Sequence, residues 1–454
     1  MATTQSSGRG TWNSKLGFIL AAAGSAVGLG NIWRFPTEMA ENGGAAFLIL
    51  YAALVFIIGY PVMVGELSLG RKTQRNPVGA FRAISDSKFF PIVGFWGVLC
   101  GIAILSFYVI VAGWTLGYFF EQIFYSVGWY EWANWIKDTD NGWLNAGVAI
   151  VFMMATVGII LGGVSDGIER AVKYLMPLLV VILLIMIVYV MFQPGSAEGL
   201  RRYLIPDFSA INSNLMLAAM GQAFFSLSLG MGALITYGSY LNRKENIPEV
   251  AGYVTVADLG IAFMAGLLIM PAIFMAQSNG LEVFNPQDGS LLAGPALIFQ
   301  ILPELFHNMG GAIGLIFGAS FFFLLSIAAL TSSISLLEVP TAYLIDEHGM
   351  KRKFAAILIG SGVLVISVII AFDTSLIGNI DFIFSKIGLP LGGLMLCVFL
   401  GYFWKMENVK LELEKGYEGI HTSKFFPIWS IFIRYICPIL IGIVLVTTLL
   451  NFFR

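Results

Sequence analysis

The chain has 454 residues, 58% of them hydrophobic and 11% charged, with a mean hydropathy of +0.84; no soluble core of this length absorbs so much apolar surface, so the chain belongs in lipid. A formal net charge of −2 points to neither a nucleic-acid face nor a polybasic membrane anchor, and no nucleic-acid partner is expected. The three cysteines, Cys100, Cys397 and Cys437, lie in apolar runs and read as packing residues, and the three histidines lie outside those runs, which makes a histidine-built metal or nucleophile site a poor expectation.

A hydrocarbon core about 30 Å thick takes about 20 apolar residues per helix, and lipid tolerates no unpaired backbone, so spans are helices or strands of a closed barrel. The runs here are too long for strands. Eleven spans are expected, at 16–40, 44–70, 89–125, 144–162, 168–192, 213–238, 247–278, 310–345, 353–371, 377–404 and 426–452. The polar start MATTQSSGRGTWNSK lacks the apolar region of a cleaved leader, so the first run is retained as a span. The third and eighth runs exceed a perpendicular crossing and should tilt or project. With the N-terminus cytoplasmic, Arg71, Lys72, Arg75, Arg82, Lys88, Arg243, Lys244, Lys351, Arg352, Lys353 and the 405–424 segment fall on one side, the positive-inside pattern. The Trp-rich YSVGWYEWANWIK falls on the other, as does the C-terminus.

The first span reads AAAGSAVGLGNIWRFP and the sixth GQAFFSLSLGMGALITY. Each carries a Gly-x-Gly near its middle, Gly28 with Gly30 and Gly230 with Gly232. A helix-interior glycine costs about 1 kcal/mol relative to alanine, so two within three residues favour local unwinding. Close helix packing by small residues is the alternative for either segment alone. The two lie five spans apart, as expected of two five-helix repeats of inverted topology with discontinuous first helices, which is a transporter architecture.

Unwinding in lipid frees N–H and C=O groups that an amino acid and a sodium ion together satisfy. The N–H groups of Leu29 and Gly30 are placed to face a carboxylate, and the carbonyls of Gly24, Ala26 and Val27 to ligate hard cations. Polar residues inside the spans are candidates by cost alone: Asn31, Ser226, Ser228, Asp258, Thr331, Ser332 and Ser333. A lone hydroxyl bonding back to its own helix is the bland alternative. Asp258 lies deep in an apolar run and must be paired, protonated or cation-bound. Arg34 with Asp381 on the outer side, and Arg9 with Asp346 on the inner, are candidate ion pairs; as surface bridges each would be worth about 0–1 kcal/mol. Glu66, in GYPVMVGELSLGR, is expected to hold unwound backbone through its N–H groups. Gly167 and Pro177 weaken the start of the fifth span, which either unwinds to admit water or carries an ordinary proline kink.

At these residues the sequence resembles the neurotransmitter:sodium symporter family, in particular its bacterial amino-acid transporters of the LeuT type. The anchors are AGSAVGLGNIWRFP, AENGGAAFLILY, GELSLGR, SFYVIVAGW, QAFFSLSLGMGALITYGSY and AALTSSISLLEVP, in family order over nearly the whole chain. The resemblance implies an all-α polytopic membrane protein of LeuT-type fold with broken first and sixth helices. Its parts are a cytoplasmic segment at 1–15, repeats at 16–192 and 213–404 around an extracellular loop at 193–212, and a cytoplasmic loop with one extra helix at 405–454. It implies a first sodium site from Ala26, Asn31, Ser226 and Asp258, and a second from Gly24, Val27, Ala328, Thr331 and Ser332. Substrate would meet Ala26, Leu29, Gly30, Tyr108, Phe225 and Ser228, with selectivity from Ile104, Phe225, Ser228, Met231, Ser332 and Leu336. Arg34 and Asp381 resemble the outer gate, and Arg9, Trp12, Tyr240 and Asp346 the inner one.

Gly28 stands where monoamine members carry an acidic residue, which favours an amino acid, and the adaptable Met231 favours a hydrophobic or aromatic one. A serine that serves chloride-dependent members is here Ala262, beside matching Tyr51, Gln222 and Ser226, and the Asp258 charge makes chloride unnecessary. The expected function is sodium-coupled import of an amino acid by alternating access, with two sodium ions, in a bacterial inner membrane, by a monomer or weak homo-oligomer. The rivals are a non-transporting amino-acid receptor on the same fold and a transporter of small polar amino acids. No P-loop and no nucleophile–base constellation is evident, so no enzymatic activity is expected.

Overall fold

A computed structural model of the chain describes residues 10–283 and 297–452, and all regular structure among them is helical. Among the described residues, nine helices are long and apolar enough to cross a membrane: Ala45–Thr73 (α3), Phe89–Ser126 (α4), Gly142–Leu161 (α5), Val164–Met191 (α6), Ile247–Ser278 (α9), Gly311–His348 (α10), Arg352–Phe372 (α11), Ser375–Phe403 (α12) and Phe425–Leu450 (α13). A tenth crossing is the pair Lys15–Ala26 (α1) and Gly30–Glu41 (α2), bent by 52° at the residues between them. The sixth apolar run is divided into Ser213–Ser226 (α7) and Ala233–Gly238 (α8), neither long enough to cross alone. The long runs at the third and eighth positions are α4 and α10, each of 38 residues. At 1.5 Å per residue each is about 57 Å long and exceeds a hydrocarbon core of about 30 Å. The two pack against each other and form the wall on which the broken segments lean.

Many of the helices contain a wide turn whose bonds skip five residues. Those at Gly30–Arg34, Val55–Gly59, Leu297–Ile301, Asp381–Gly388 and Phe432–Ile436 are each followed at once by an X–Pro pair: Phe35–Pro36, Tyr60–Pro61, Leu302–Pro303, Leu389–Pro390 and Cys437–Pro438. Proline brings no N–H and its ring crowds the carbonyl one turn back. Widening that turn by one residue relieves the clash without ending the helix, which an apolar solvent would punish.

The division of the sixth run comes from backbone that an α-helix cannot hold. Ser228, Gly230 and Gly232 have φ of +53°, +81° and +77°, the left-handed region that glycine tolerates and serine does not favour. Gly230 has a second reason to be glycine: a Cβ there would stand 2.0 Å from the Leu389 carbonyl of α12. Between Gly167 and Pro177 the chain stays helical. Gly163 (φ +84°) leads into a wide turn at Val164–Glu169, and Pro177 lies within the regular helix Arg170–Met191.

Candidate functional site

The two breaks face each other and are tied together by hydrogen bonds. Gln222 Nε2 of α7 donates to Gly30 O at 2.8 Å, and Ser228 Oγ donates to Ser25 O at 2.8 Å. Glu66 of α3 accepts from the Gly230 N–H, within the second break, at 2.8 Å. Between the breaks lies a cavity of about 30 Å³ lined by Ser25, Ala26, Gly28 and Gly30, by Ile104 and Tyr108 of α4, by Phe225, Ser228 and Met231, and by Ser332 and Leu336 of α10. Every residue expected at a substrate pocket lines it except Leu29, whose N–H points to Tyr108 OH at 3.4 Å. The lining thus combines polar groups (the backbone of the first break, Tyr108, Ser228 and Ser332) with apolar side chains (Ile104, Met231 and Leu336).

Ser25 was not singled out in the sequence, yet its carbonyl accepts from both Ser228 and, at 3.4 Å, Ser332, and its hydroxyl donates to Ser335 Oγ at 2.8 Å. Its neighbours Gly24 and Ala26 drew the attention; a serine on the last turn before a break is the signal that marks it. Gly28 leaves no room for a side chain: a Cβ there would stand 2.3 Å from Ser332 Oγ and 3.1 Å from Tyr108 OH.

Asp258 of α9 is completely buried. Its Oδ1 accepts from Asn31 Nδ2 at 2.7 Å and Ser226 Oγ at 2.7 Å, and its Oδ2 accepts from Tyr51 OH at 3.1 Å. These partners are all neutral. Isolating a carboxylate from water costs several kcal/mol unless a positive charge compensates it, so the cluster is built to attract a cation, and its ligands are oxygens suited to a hard one. Gln222 Oε1, buried on α7 one turn before Ser226, has no hydrogen-bond partner among the described residues.

The second cluster joins the end of α1 to α10. Thr331 Oγ1 donates to Ala328 O at 3.0 Å and Val27 O at 3.3 Å, and a Cβ on Gly24 would stand 3.3 Å from Thr331 Cβ. Gly24, Val27, Ala328, Thr331 and Ser332 are thereby gathered, again offering only oxygen.

The two ends of the molecule differ. At the end remote from the N-terminal segment, a vestibule of about 340 Å³ opens above Phe225 and is lined by Arg34, Glu38, Glu41, Asp381 and Lys386 among others. The Arg34 guanidinium lies 4.6 Å above the Phe225 ring and its Nε is 3.6 Å from Glu38. Arg34 and Asp381 share this vestibule without an ion pair between them among the described residues. At the other end the chain is shut. Trp12 Nε1 donates to Tyr237 O at 3.0 Å, and the Trp12 ring meets Phe18, Tyr237 and Tyr240 edge-on. Tyr240 OH donates to Glu338 at 2.7 Å, Glu338 pairs with Arg352 at 2.5 Å, and Asp346 accepts from the Asn76 N–H at 2.7 Å. Arg9 lies outside the described residues. Glu338 and Arg352 escaped the sequence reading because Tyr240, which bonds Glu338, lies 98 residues away and each charge sits towards the end of an apolar run, where a charge looks solvated.

A model of the sodium:neurotransmitter symporter family matches residues 9–146 and 136–454. The chain belongs to this family. An uncharacterized sodium-dependent transporter of Haemophilus influenzae is 33% identical to this symporter over 98% of its length and 100% of the relative's. The sodium-dependent transporter YhdH of Bacillus subtilis is 31% identical over 95% and 96%. The crystal structure of MhsT in complex with L-phenylalanine superimposes with a TM-score of 0.85 at 39% identity, covering 97% of this symporter and 100% of MhsT. The fold is of the LeuT type, and the protein is a sodium-dependent transporter of the membrane with many crossings.

Proposed function

We propose that this symporter imports a hydrophobic or aromatic amino acid together with two sodium ions by alternating access, without a need for chloride. The observation that carries this reading is the cavity between the breaks, lined by the backbone of the first break and Tyr108 together with Ile104, Met231 and Leu336. In this reading the substrate carboxylate meets Leu29, Gly30 and Tyr108, and its amine meets the carbonyls near Ala26, Phe225 and Ser228. Gly28 favours a substrate that brings its own carboxylate, since an acidic side chain there would collide with Ser332 and Tyr108. The L-phenylalanine bound to MhsT agrees with the apolar side chains.

Ala26, Asn31, Ser226 and Asp258 hold the first sodium, and Gly24, Val27, Ala328, Thr331 and Ser332 the second. Asp258, bonded to Tyr51 and Ser226, supplies the negative charge that chloride would otherwise bring, and Ala262 one turn on offers no hydroxyl to a halide. At about 30 Å³ the cavity suits a water rather than an amino acid, so Phe225 lifts and the flexible Met231 turns aside when substrate enters. Arg34 and Asp381 close over the vestibule afterwards, and the Trp12, Tyr240 and Asp346 contacts, with Arg9, open last. Residues 213–238 then form one crossing interrupted at its centre, the eleventh in all, which leaves the N-terminus in the cytoplasm and the C-terminus outside in a bacterial inner membrane. The acting unit is a monomer or a weak homo-oligomer.

Uptake of radiolabelled amino acids into proteoliposomes, under an inward sodium gradient and with sodium replaced by potassium or choline, tests the reading. Concentrative sodium-dependent uptake of leucine, phenylalanine or tryptophan supports it. Uptake confined to small polar amino acids removes the pocket assignment, binding without uptake points to a receptor, and stimulation by added chloride removes the role given to Asp258.

A further inference from the structure

Glu169 is 1% exposed, and nothing assigned so far uses its charge. It closes the wide turn Val164–Glu169 that opens α6, and donors reach it from two elements. The Asn13 N–H donates to Oε2 at 2.7 Å, Ser14 Oγ donates to Oε1 at 2.8 Å, and Lys173 Nζ, one turn along α6, lies 2.7 Å from Oε1. Ser14 is also the N-cap of α1, accepting from the Gly17 N–H at 3.0 Å. A Cβ on Gly17 would stand 2.1 Å from Glu169 Oε1, so the carboxylate fills the space that a side chain there would need. One carboxylate therefore fastens the entry of α1 to the first turn of α6.

The face of α6 that carries Glu169 continues through Val172 and Met176, both buried and spaced three and seven residues on, as neighbours on one side of a helix are. Met176 Sδ lies 3.4 Å from where a Gly24 Cβ would be, and Gly24 abuts Thr331 in the second oxygen cluster. The same helix face thus grips the start of α1 at one level and presses on the second cluster two turns further in. Lys173 belongs to α6 and stays with Glu169 if the start of α1 departs, so the carboxylate remains compensated in both conditions and the contact is reversible.

We propose that Glu169 is a positioning residue for transport, a clamp that holds the α1 N-cap to α6 and so keeps Met176 seated against the second sodium cluster, and that must release before sodium leaves towards the N-terminal end. This rests on the transport reading above. The test is backbone amide exchange, followed by mass spectrometry on the full chain in lipid nanodiscs, for the parent, Glu169→Gln and Gly17→Ala, in sodium and in potassium, with sodium-dependent binding of radiolabelled phenylalanine measured alongside. In the parent, sodium should protect residues 12–20 and 164–176 more than potassium does. Glu169→Gln keeps the shape and removes the charge, and Gly17→Ala displaces the carboxylate without touching it. Both are expected to raise exchange in those two segments in sodium by about tenfold, while Ile247–Ser278 is unaffected and binding persists. Binding intact with exchange unchanged in both variants overturns the clamp, as does a rise spread equally over the whole chain, which would mark a general loss of stability. Absence of sodium-dependent binding in the parent, over a panel of amino acids, overturns the transport reading instead.

Discussion

A Cβ on Gly28 would meet Ser332 Oγ at 2.3 Å, so Gly28→Asp must displace Ser332 and Tyr108 together as well as bury a second carboxylate. Overpacking of this kind costs about 1–3 kcal/mol before the charge is counted, and initial uptake rates in proteoliposomes should fall by about a hundredfold. Asp258 is the opposite case, a charge that is present and lacks a charged partner. Asp258→Asn keeps the shape and removes the attraction for a cation; the sodium concentration for half-maximal binding should rise about tenfold or more, and chloride should recover part of the loss. A sodium titration with chloride exchanged for gluconate reads both effects. These two residues were legible in the sequence because glycine and aspartate are costly inside lipid and demand a reason. Ser25, Glu169 and Glu338 were not: a hydroxyl in an alanine-rich run has a cheap local partner, and charges at span ends read as solvated until a partner distant in the chain, such as Asn13 or Tyr240, is placed beside them.

The broken elements were legible for the same reason at longer range, since two Gly-x-Gly pairs at matching positions of two repeats mark both breaks. What the sequence left open was how each break is held. The second is fixed by the left-handed Ser228, Gly230 and Gly232 and by the close approach of Gly230 to α12, a contact between residues far apart in the chain that no local pattern announces. Gly230→Ala meets both a strained φ and a 2.0 Å contact. It should lower the apparent melting temperature in detergent by several degrees and abolish binding. Gly232→Ala, which meets the Pro77 side chain rather than backbone, should be the milder of the two. The start of α6 shows the limit of such reading. Gly167 and Pro177 weaken a helix, but weakness shows only when the packing around it is released, and here Glu169 and the N-terminal segment keep it wound.

Among the described residues the end that carries Trp12 is closed by its contacts, while a vestibule opens above Phe225 at the other. With the proposed stoichiometry of two sodium ions and a zwitterion, two charges would move inward, and 100 mV across the bilayer would supply about 4.6 kcal/mol, more than a thousandfold in concentration ratio. Imposing an inside-negative potassium diffusion potential with valinomycin should therefore raise steady-state accumulation steeply, and a one-ion stoichiometry would show as half the logarithmic slope. The wide turns ahead of the X–Pro pairs have a consequence of another kind. Each holds one residue more than a regular turn, so deleting that residue would bring back ordinary winding and leave the helix beyond on nearly the same face, whereas a deletion from a regular stretch would rotate everything beyond it by about 100°. Between Gly30 and Arg34 such a deletion would leave Glu38 and Glu41 facing the vestibule, while the same deletion in the regular turn after Phe35 would swing Glu41 away from it. Insertions and deletions among relatives are usually confined to loops, but in this chain the wide turns are places within the bilayer where single-residue gaps can be absorbed, and alignments that forbid gaps inside spans will misregister the vestibule first.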